Sequence, residues 1–136
     1  VGAGLASVRE AGALVQGAGP RVRRSDERPL ARLLGDLAGD HRLLAHGERM
    51  LAPLIAYDLR RGGDLEQVLA TLLAHPGNRT AAAAASHLSR SVFYQRIELI
   101  ERLLGLDLDD GETQTALHIA VLARRRQEAV VPVGAR

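Results

Sequence analysis

The stretch from residue 78 to residue 105 constrains the fold more than any other part of the chain. It reads NRTAAAAASHLSRSVFYQRIELIERLLG, a short alanine-rich segment, then three residues, then a longer amphipathic segment. Alanine favours helix strongly, and its small side chain lets a second helix approach closely. One face of the longer segment carries apolar residues at helical spacing: Phe93, Ile97, Ile100 and Leu104. The stretch predicts two closely packed helices joined by a turn at residues 87–89.

Composition extends this expectation to the whole chain. Apolar residues make up 46% of the 136 residues, mostly alanine and leucine, and only 2% are aromatic. Alanine and leucine lead the helix scale, whereas strands are enriched in β-branched and aromatic residues. We therefore predict an all-α fold, a helix-turn-helix bundle preceded by connecting helices.

The first half of the chain shows weaker helical patterns. Residues 4–16 form a weakly amphipathic segment. Pro29 suits the first turn of a helix that should end at Gly39, and Asp40 can cap the next helix. Pro53 is expected to break that helix or to begin another.

The Arg-Arg-Gly-Gly run at residues 60–63 is the predicted domain boundary. It divides the chain into connecting helices at 29–62, a helix-turn-helix domain at 63–128 and a tail at 129–136. Residues 1–28 precede the connecting helices.

Capping patterns become clearer after the boundary. Two pairs have the spacing of a capping box, Asp64 with Gln67 and Asp109 with Glu112. Single caps are predicted at Asn78 and Ser89. The last helix should run from about residue 112 to residue 126.

The helix that follows Ser89 carries polar side chains opposite its apolar face. In a helix-turn-helix the second helix enters the major groove of DNA, and its N-terminal residues meet base edges. Arginine pairs with guanine, glutamine with adenine, serine with either donors or acceptors, and a carboxylate accepts from cytosine. The predicted recognition helix spans residues 89–104, and its predicted base contacts are Arg90, Ser91, Tyr94, Gln95 and Glu98.

Phosphate contacts are expected at the two helix starts and along the second helix. Arginine side chains and unpaired N–H groups of helix N-termini both bind phosphate oxygens. The predicted phosphate contacts are Arg79, Thr80, Ser89, Arg96 and Arg102. The net charge is only +2, so this surface must be a local concentration of arginine.

Other classes of function have no support in the sequence. The chain has no cysteine, which excludes disulfides and thiolate metal sites and agrees with a cytoplasmic protein. Its five histidines form no HExxH motif and no i, i+4 pair, and "VGAGLAS" does not follow a strand as a dinucleotide loop would. No apolar run reaches the length of about 18 residues that spans a membrane. We therefore predict no enzyme activity, no metal, no cofactor and no membrane association.

A second interpretation stays open at this point. Two amphipathic helices and a turn also occur in helical dimerisation or signalling modules that bind protein rather than DNA. In that case Tyr94 and its apolar neighbours would form a protein interface, and Arg90 and Arg96 would be solvated.

Several stretches resemble the C-terminal helix-turn-helix domain of PucR/CdaR-type bacterial transcriptional regulators. They are "GNRTAAAAASHLSRSVFYQRIELIERLLGLDLDD", the later "ALHIAVLARR" and the preceding "LAPLIAYDLRRGGDLEQVLATLLAHPGN". The resemblance covers roughly residues 50–127 and implies binding to double-stranded DNA. It also implies that residues 1–28 are the end of a GGDEF-like regulatory domain. A small-molecule effector would then act only through an upstream domain, and the start at Val1 would be a cut within a longer chain.

The resemblance is incomplete at the recognition helix. The family usually has His-Arg-Asn-Thr-Leu followed by Tyr-Arg, where this chain has Ser-Arg-Ser-Val-Phe at residues 89–93 and Gln-Arg after Tyr94. Arg90 and Arg96 match, so contact with phosphate or groove is implied for both. One such unit makes few contacts, so we expect a homodimer on a two-fold DNA site.

Overall fold

The computed structural model describes residues 28–135 of the chain, with side chains up to residue 126. Within this range the secondary structure consists of α-helices and contains no strand. The predicted all-α class is therefore confirmed, while the predicted helix at 4–16 lies outside the described residues. The helices are α1 Pro29–Asp36, α2 His41–Arg61, α3 Leu65–Leu73, α4 Arg79–Ser86, α5 Arg90–Leu104 and α6 Gly111–Ala135.

The hydrophobic core lies around α3, which contacts α2, α4, α5 and α6. The long helices α2 and α6 also pack along each other, and α1 packs on α6. The largest fully buried side chains are Leu51, Leu54, Leu65, Leu69, Phe93, Ile97, Ile100, Leu108 and Leu117. Each such burial contributes about 1.5–3 kcal/mol of transfer free energy, and together they hold the helices in place.

A turn lies before α3, at the predicted domain boundary, with Gly62 in the left-handed region at φ 61°. Helices on both sides of this turn contribute to one core, since Leu51 and Leu54 of α2 belong to the same buried cluster as Phe93. The division of the chain into domains at residues 62–63 stays a prediction.

The expected break at Pro53 is wrong, because α2, which is 21 residues long in all, continues through this proline. Proline in a helix interior removes one hydrogen bond and costs about 3 kcal/mol. Pro53 itself is exposed, whereas Leu51 and Leu54 on either side of it are fully buried. Burial of these leucines against the core offsets the local cost.

α2 and α6 approach closely where α2 carries Gly47. A Cβ atom at this position would lie 3.2 Å from the carbonyl oxygen of Ala120, which is tighter than ordinary contact. One residue earlier, His46 Nε2 lies 3.0 Å from the carbonyl oxygen of Ala116. The absence of a side chain at Gly47 therefore lets α2 and α6 approach closely at this point.

Both predicted capping boxes are wrong, although the helices begin where expected. The Asp64 side chain makes no capping bond to α3. Instead Asp58, at the end of α2, accepts from the backbone N–H groups of Leu65 and Glu66 at 2.9 and 3.0 Å. The turn at residues 62–63 brings this carboxylate back onto the start of α3.

At the start of α6 the cap is Asp110 rather than Asp109. The Asp110 carboxylate accepts from the Thr113 N–H at 2.9 Å, and this bond holds the pKa of the carboxyl below its ordinary value. The single caps predicted at Asp40, Asn78 and Ser89 are confirmed, since each side chain accepts from a first-turn N–H.

We predict that Asp58→Ala lowers the free energy of unfolding by about 1–2 kcal/mol, because it removes the cap of a central helix. Asp64→Ala, which removes no capping bond, should cost less. Urea denaturation of the two variants beside the wild-type chain measures the difference. An equal or larger loss for Asp64→Ala would contradict the assignment of the cap to Asp58.

Candidate nucleic-acid interface

Helices α4 and α5 form the two-helix unit predicted from the alanine-rich stretch. Asn78 caps α4 by accepting from the Ala81 N–H at 3.0 Å. Ala82 and Ala83 are buried, and α4 packs on both α3 and α5. Small side chains on this face allow the close packing of three helices that a helix-turn-helix requires.

The turn between α4 and α5 is built from local hydrogen bonds. His87 ends α4 in the left-handed region, at φ 66° and ψ 13°, which histidine tolerates better than most residues. Ser86 Oγ donates to the Ala83 carbonyl at 2.6 Å and accepts from the Leu88 N–H at 3.1 Å. Ser89 Oγ then accepts from the Val92 N–H at 3.2 Å and begins α5. These bonds set the angle at which α5 leaves the turn.

One face of α5 is buried and the other is open to solvent. Phe93, Ile97 and Ile100 are fully buried, as the spacing predicts, and Leu104, the fourth residue of that predicted face, is half-buried. Four of the five predicted base-contact residues are exposed: Arg90, Ser91, Gln95 and Glu98. Ser91, Gln95 and Glu98 follow helical spacing along one outward side of α5, whereas Arg90 is exposed in the first turn, one turn before the half-buried Tyr94.

Tyr94 is the exception, because its side chain is half-buried and packs against the core. Its ring centroid lies 6.0 Å from that of Phe93, and the two rings are tilted by 56°. The guanidinium carbon of Arg90 lies 5.4 Å from the same ring centroid. A cation–π contact at this distance restrains the Arg90 side chain. Tyr94 therefore has less surface for a base contact than its neighbours, and it supports Arg90.

The predicted phosphate contacts fall into two groups. Thr80, Ser89 and Arg102 are exposed. Arg79 and Arg96 are half-buried and form ion pairs instead, Arg79 Nη2 with Asp109 Oδ1 and Arg96 Nε with Asp64 Oδ1, both at 3.0 Å. Each pair uses one of the five N–H donors of a guanidinium, so donors remain for a further acceptor.

Sequence reasoning missed these two carboxylates as parts of the surface. Asp64 and Asp109 each precede a helix, and their spacing to Gln67 and Glu112 suggested capping. Their arginine partners are 32 and 30 residues away along the chain. No local pattern relates residues at such separation, so only the packing of the helices shows the pairs.

The histidine and acidic side chains of the described residues were compared with the requirements of a metal site. Histidine and acidic side chains within residues 28–126 form no group of three or more that could hold a metal ion. His118 is half-buried, and its pKa lies below the ordinary 6.5 because of burial and the nearby charge of Arg28. It therefore carries little positive charge at neutral pH. Among the described helices, none combines the length and apolar character needed to cross a membrane.

Comparison with known families gives one match. Residues 65–123 match the family described as the PucR C-terminal helix-turn-helix domain. The matched range begins with α3, contains α4 and α5 and ends within α6. It supports the predicted resemblance for these residues, while the preceding GGDEF-like segment stays a prediction. Comparison with curated proteins and with solved structures found no match to the chain.

Phe93→Ala tests which face of α5 is buried. We predict a loss of about 3–5 kcal/mol in the free energy of unfolding, because the change removes a fully buried aromatic side chain and leaves a cavity. Gln95→Ala, two residues along on the exposed face, should change stability by less than about 0.5 kcal/mol. Thermal and urea denaturation measure both. A neutral Phe93→Ala would mean that α5 is rotated and that the outward residues are wrongly assigned.

Proposed function

We propose that this chain is the DNA-binding part of a bacterial transcriptional regulator. The observation that carries the proposal is the exposure of Arg90, Ser91, Gln95 and Glu98 in the first half of α5, a helix whose inner face is fully buried. A rigidly held helix with base-reading side chains near its N-terminus suits entry into the major groove. The match of residues 65–123 to a helix-turn-helix family supports the same conclusion.

In this proposal the side chains of α5 read base edges according to their hydrogen-bonding groups. Arg90 pairs with guanine N7 and O6, and its contact with the Tyr94 ring holds it near the groove. Gln95 pairs with adenine, Ser91 with a donor or an acceptor, and Glu98 with the amino group of cytosine. Tyr94 contacts DNA through the part of its ring that stays accessible.

Phosphate contacts fix the position of α5 on the duplex. Thr80 and Ser89 lie at the starts of α4 and α5, where helix N–H groups and the helix dipole favour an anion. Arg79 and Arg96 bind phosphate with the donors that their ion pairs leave unused. Arg102 is exposed in the last turn of α5 and extends the contact along the backbone.

The regulator would act as a homodimer on two half-sites. Two-fold helix-turn-helix dimers place their recognition helices about 34–36 Å apart, one turn of the duplex. One unit with so few base contacts gives little selectivity, and the second copy supplies the rest. A small-molecule effector would act through an upstream domain of the full regulator. The regulator would be cytoplasmic and would need no cofactor.

A protein-binding module is the alternative function. Three large apolar side chains are exposed in the described part of the chain: Leu33, Leu37 and Leu59. Leu33 and Leu37 lie one turn apart at α1, and Leu59 lies near the end of α2, with 81% of its surface exposed. These leucines lie outside α5, so a protein contact there is compatible with DNA contact through α5.

Alanine substitutions on α5 test the proposal on duplex DNA. We predict that Arg96→Ala weakens binding to all sequences and flattens the salt dependence, because a phosphate contact is lost, whereas Arg90→Ala relaxes the preference for guanine at one position. Ser91→Ala and Gln95→Ala should also change sequence preference, by roughly 1–3 kcal/mol per base contact. Fluorescence anisotropy with random duplexes, and selection from a random-sequence pool, measure the two effects.

Arg49→Ala is the matched control, because it removes one exposed arginine from α2, outside the helix-turn-helix unit. It should leave DNA affinity nearly unchanged. If all the α5 variants keep wild-type DNA affinity, the proposed function is wrong; if they also lose self-association, α5 forms a protein interface around Tyr94, which is the second interpretation of the sequence.

A further inference from the structure

The Arg96 side chain is held from across the domain rather than by its own helix. Arg96 lies in the second turn of α5, and its partner Asp64 lies directly before α3. Arg96 Nε donates to Asp64 Oδ1 at 3.0 Å, and the two side chains are 36% and 41% exposed. The pair therefore sits at the edge of the domain, with one side against protein and the other open.

Asp64 is available for this contact because another residue, Asp58, caps α3 in its place. Asp64 occupies the cap position of α3 but makes no capping bond. Asp58 instead accepts from the first two N–H groups of that helix. The Asp64 carboxylate is thus released from the helix end and turned toward α5.

We infer that Asp64 is a positioning residue, which holds the Arg96 guanidinium in the orientation that meets one DNA phosphate. The inference rests on the proposed function. A bond through Nε leaves the Nη1 and Nη2 groups for that phosphate. It also fixes a long side chain before DNA arrives, so that less conformational freedom is lost on binding.

The carboxylate also has an unfavourable effect, because a negative charge beside the DNA surface repels every phosphate. This repulsion weakens binding to all sequences, whereas the fixed guanidinium favours only the docked register. Asp64 therefore lowers affinity for random DNA and raises affinity for the correct site. Asp64 therefore contributes to specificity. Its removal should have opposite effects on affinity for the correct site and on affinity for random DNA.

The Arg79–Asp109 pair provides a matched control. It has the same N···O distance of 3.0 Å, but the Asp109 side chain is 73% exposed, whereas that of Asp64 is 41% exposed. Asp109→Asn and Asp64→Asn each remove one negative charge from the edge of the same surface. Only Asp64→Asn should change DNA affinity by more than the loss of a negative charge explains.

The experiment compares two probes, a duplex selected by the wild-type chain from a random-sequence pool and a random duplex of equal length. For Asp64→Asn we expect affinity for the selected duplex to fall about 3- to 10-fold while affinity for the random duplex stays equal or rises. Asp109→Asn should not lower affinity for either. In an Arg96→Ala background, Asp64→Asn should no longer affect the two duplexes in opposite directions.

Each other outcome contradicts the inference in a recognisable way. Affinity that rises on both duplexes would mean that Asp64 acts only as a charge, and affinity that falls on both would mean that it only stabilises the fold. A thermal melt of each variant identifies the second case. If the wild-type chain neither binds DNA nor selects a sequence, the proposed function itself is wrong.

Discussion

The burial of one face of α5 is the constraint on which the rest of this surface depends. Phe93, Ile97 and Ile100 are fully buried among side chains of the shared core, to which α2 and α3 also contribute. Each lies three or four residues from the next, so burying them fixes the rotation of α5 about its own axis. That rotation decides which side chains face outward. The polar residues of α5 stay exposed because the buried apolar residues prevent the helix from rotating.

The second organising feature is an exchange of roles among carboxylates. Asp58 caps α3 across a turn, which leaves Asp64 to bind Arg96, and Asp110 caps α6, which leaves Asp109 to bind Arg79. At both places a residue next to the helix start is turned toward the helix-turn-helix unit. Half-exposed ion pairs contribute little to stability, so the main consequence inferred for the Asp64–Arg96 pair is the orientation of the Arg96 side chain.

Much of this fold could be predicted from the sequence because its signals are local. The inner face of α5 follows from spacing, the caps at Asn78 and Ser89 from side-chain chemistry, and the left-handed turn from the tolerance of His87. In each case the residues that decide the structure lie within a few positions of one another. The rotation of α5 and the exposure of Ser91 and Gln95 follow from the same short pattern.

The predictions that were wrong concern features that are not local. Each of these features depends on a contact between segments that are distant in the sequence. Pro53 stays within α2 because leucines beside it are buried by other helices. The capping boxes fail because a turn brings Asp58 onto α3 and because Asp64 meets an arginine 32 residues away. Tyr94 appeared fully outward because helical spacing places it beside Phe93, yet its ring reaches back onto the core. Spacing gives the direction of a side chain but not how far the surrounding helices extend to cover it.

The most direct test of the central claim is a fluorescence-anisotropy titration of a labelled random-sequence duplex with the wild-type chain, at two salt concentrations. Binding through arginines releases counterions from the duplex, so the logarithm of the association constant should fall with the logarithm of salt, by about 0.9 per phosphate contacted. A slope corresponding to several phosphates is the predicted result. No binding at low salt, or binding that does not change with salt, would contradict the account.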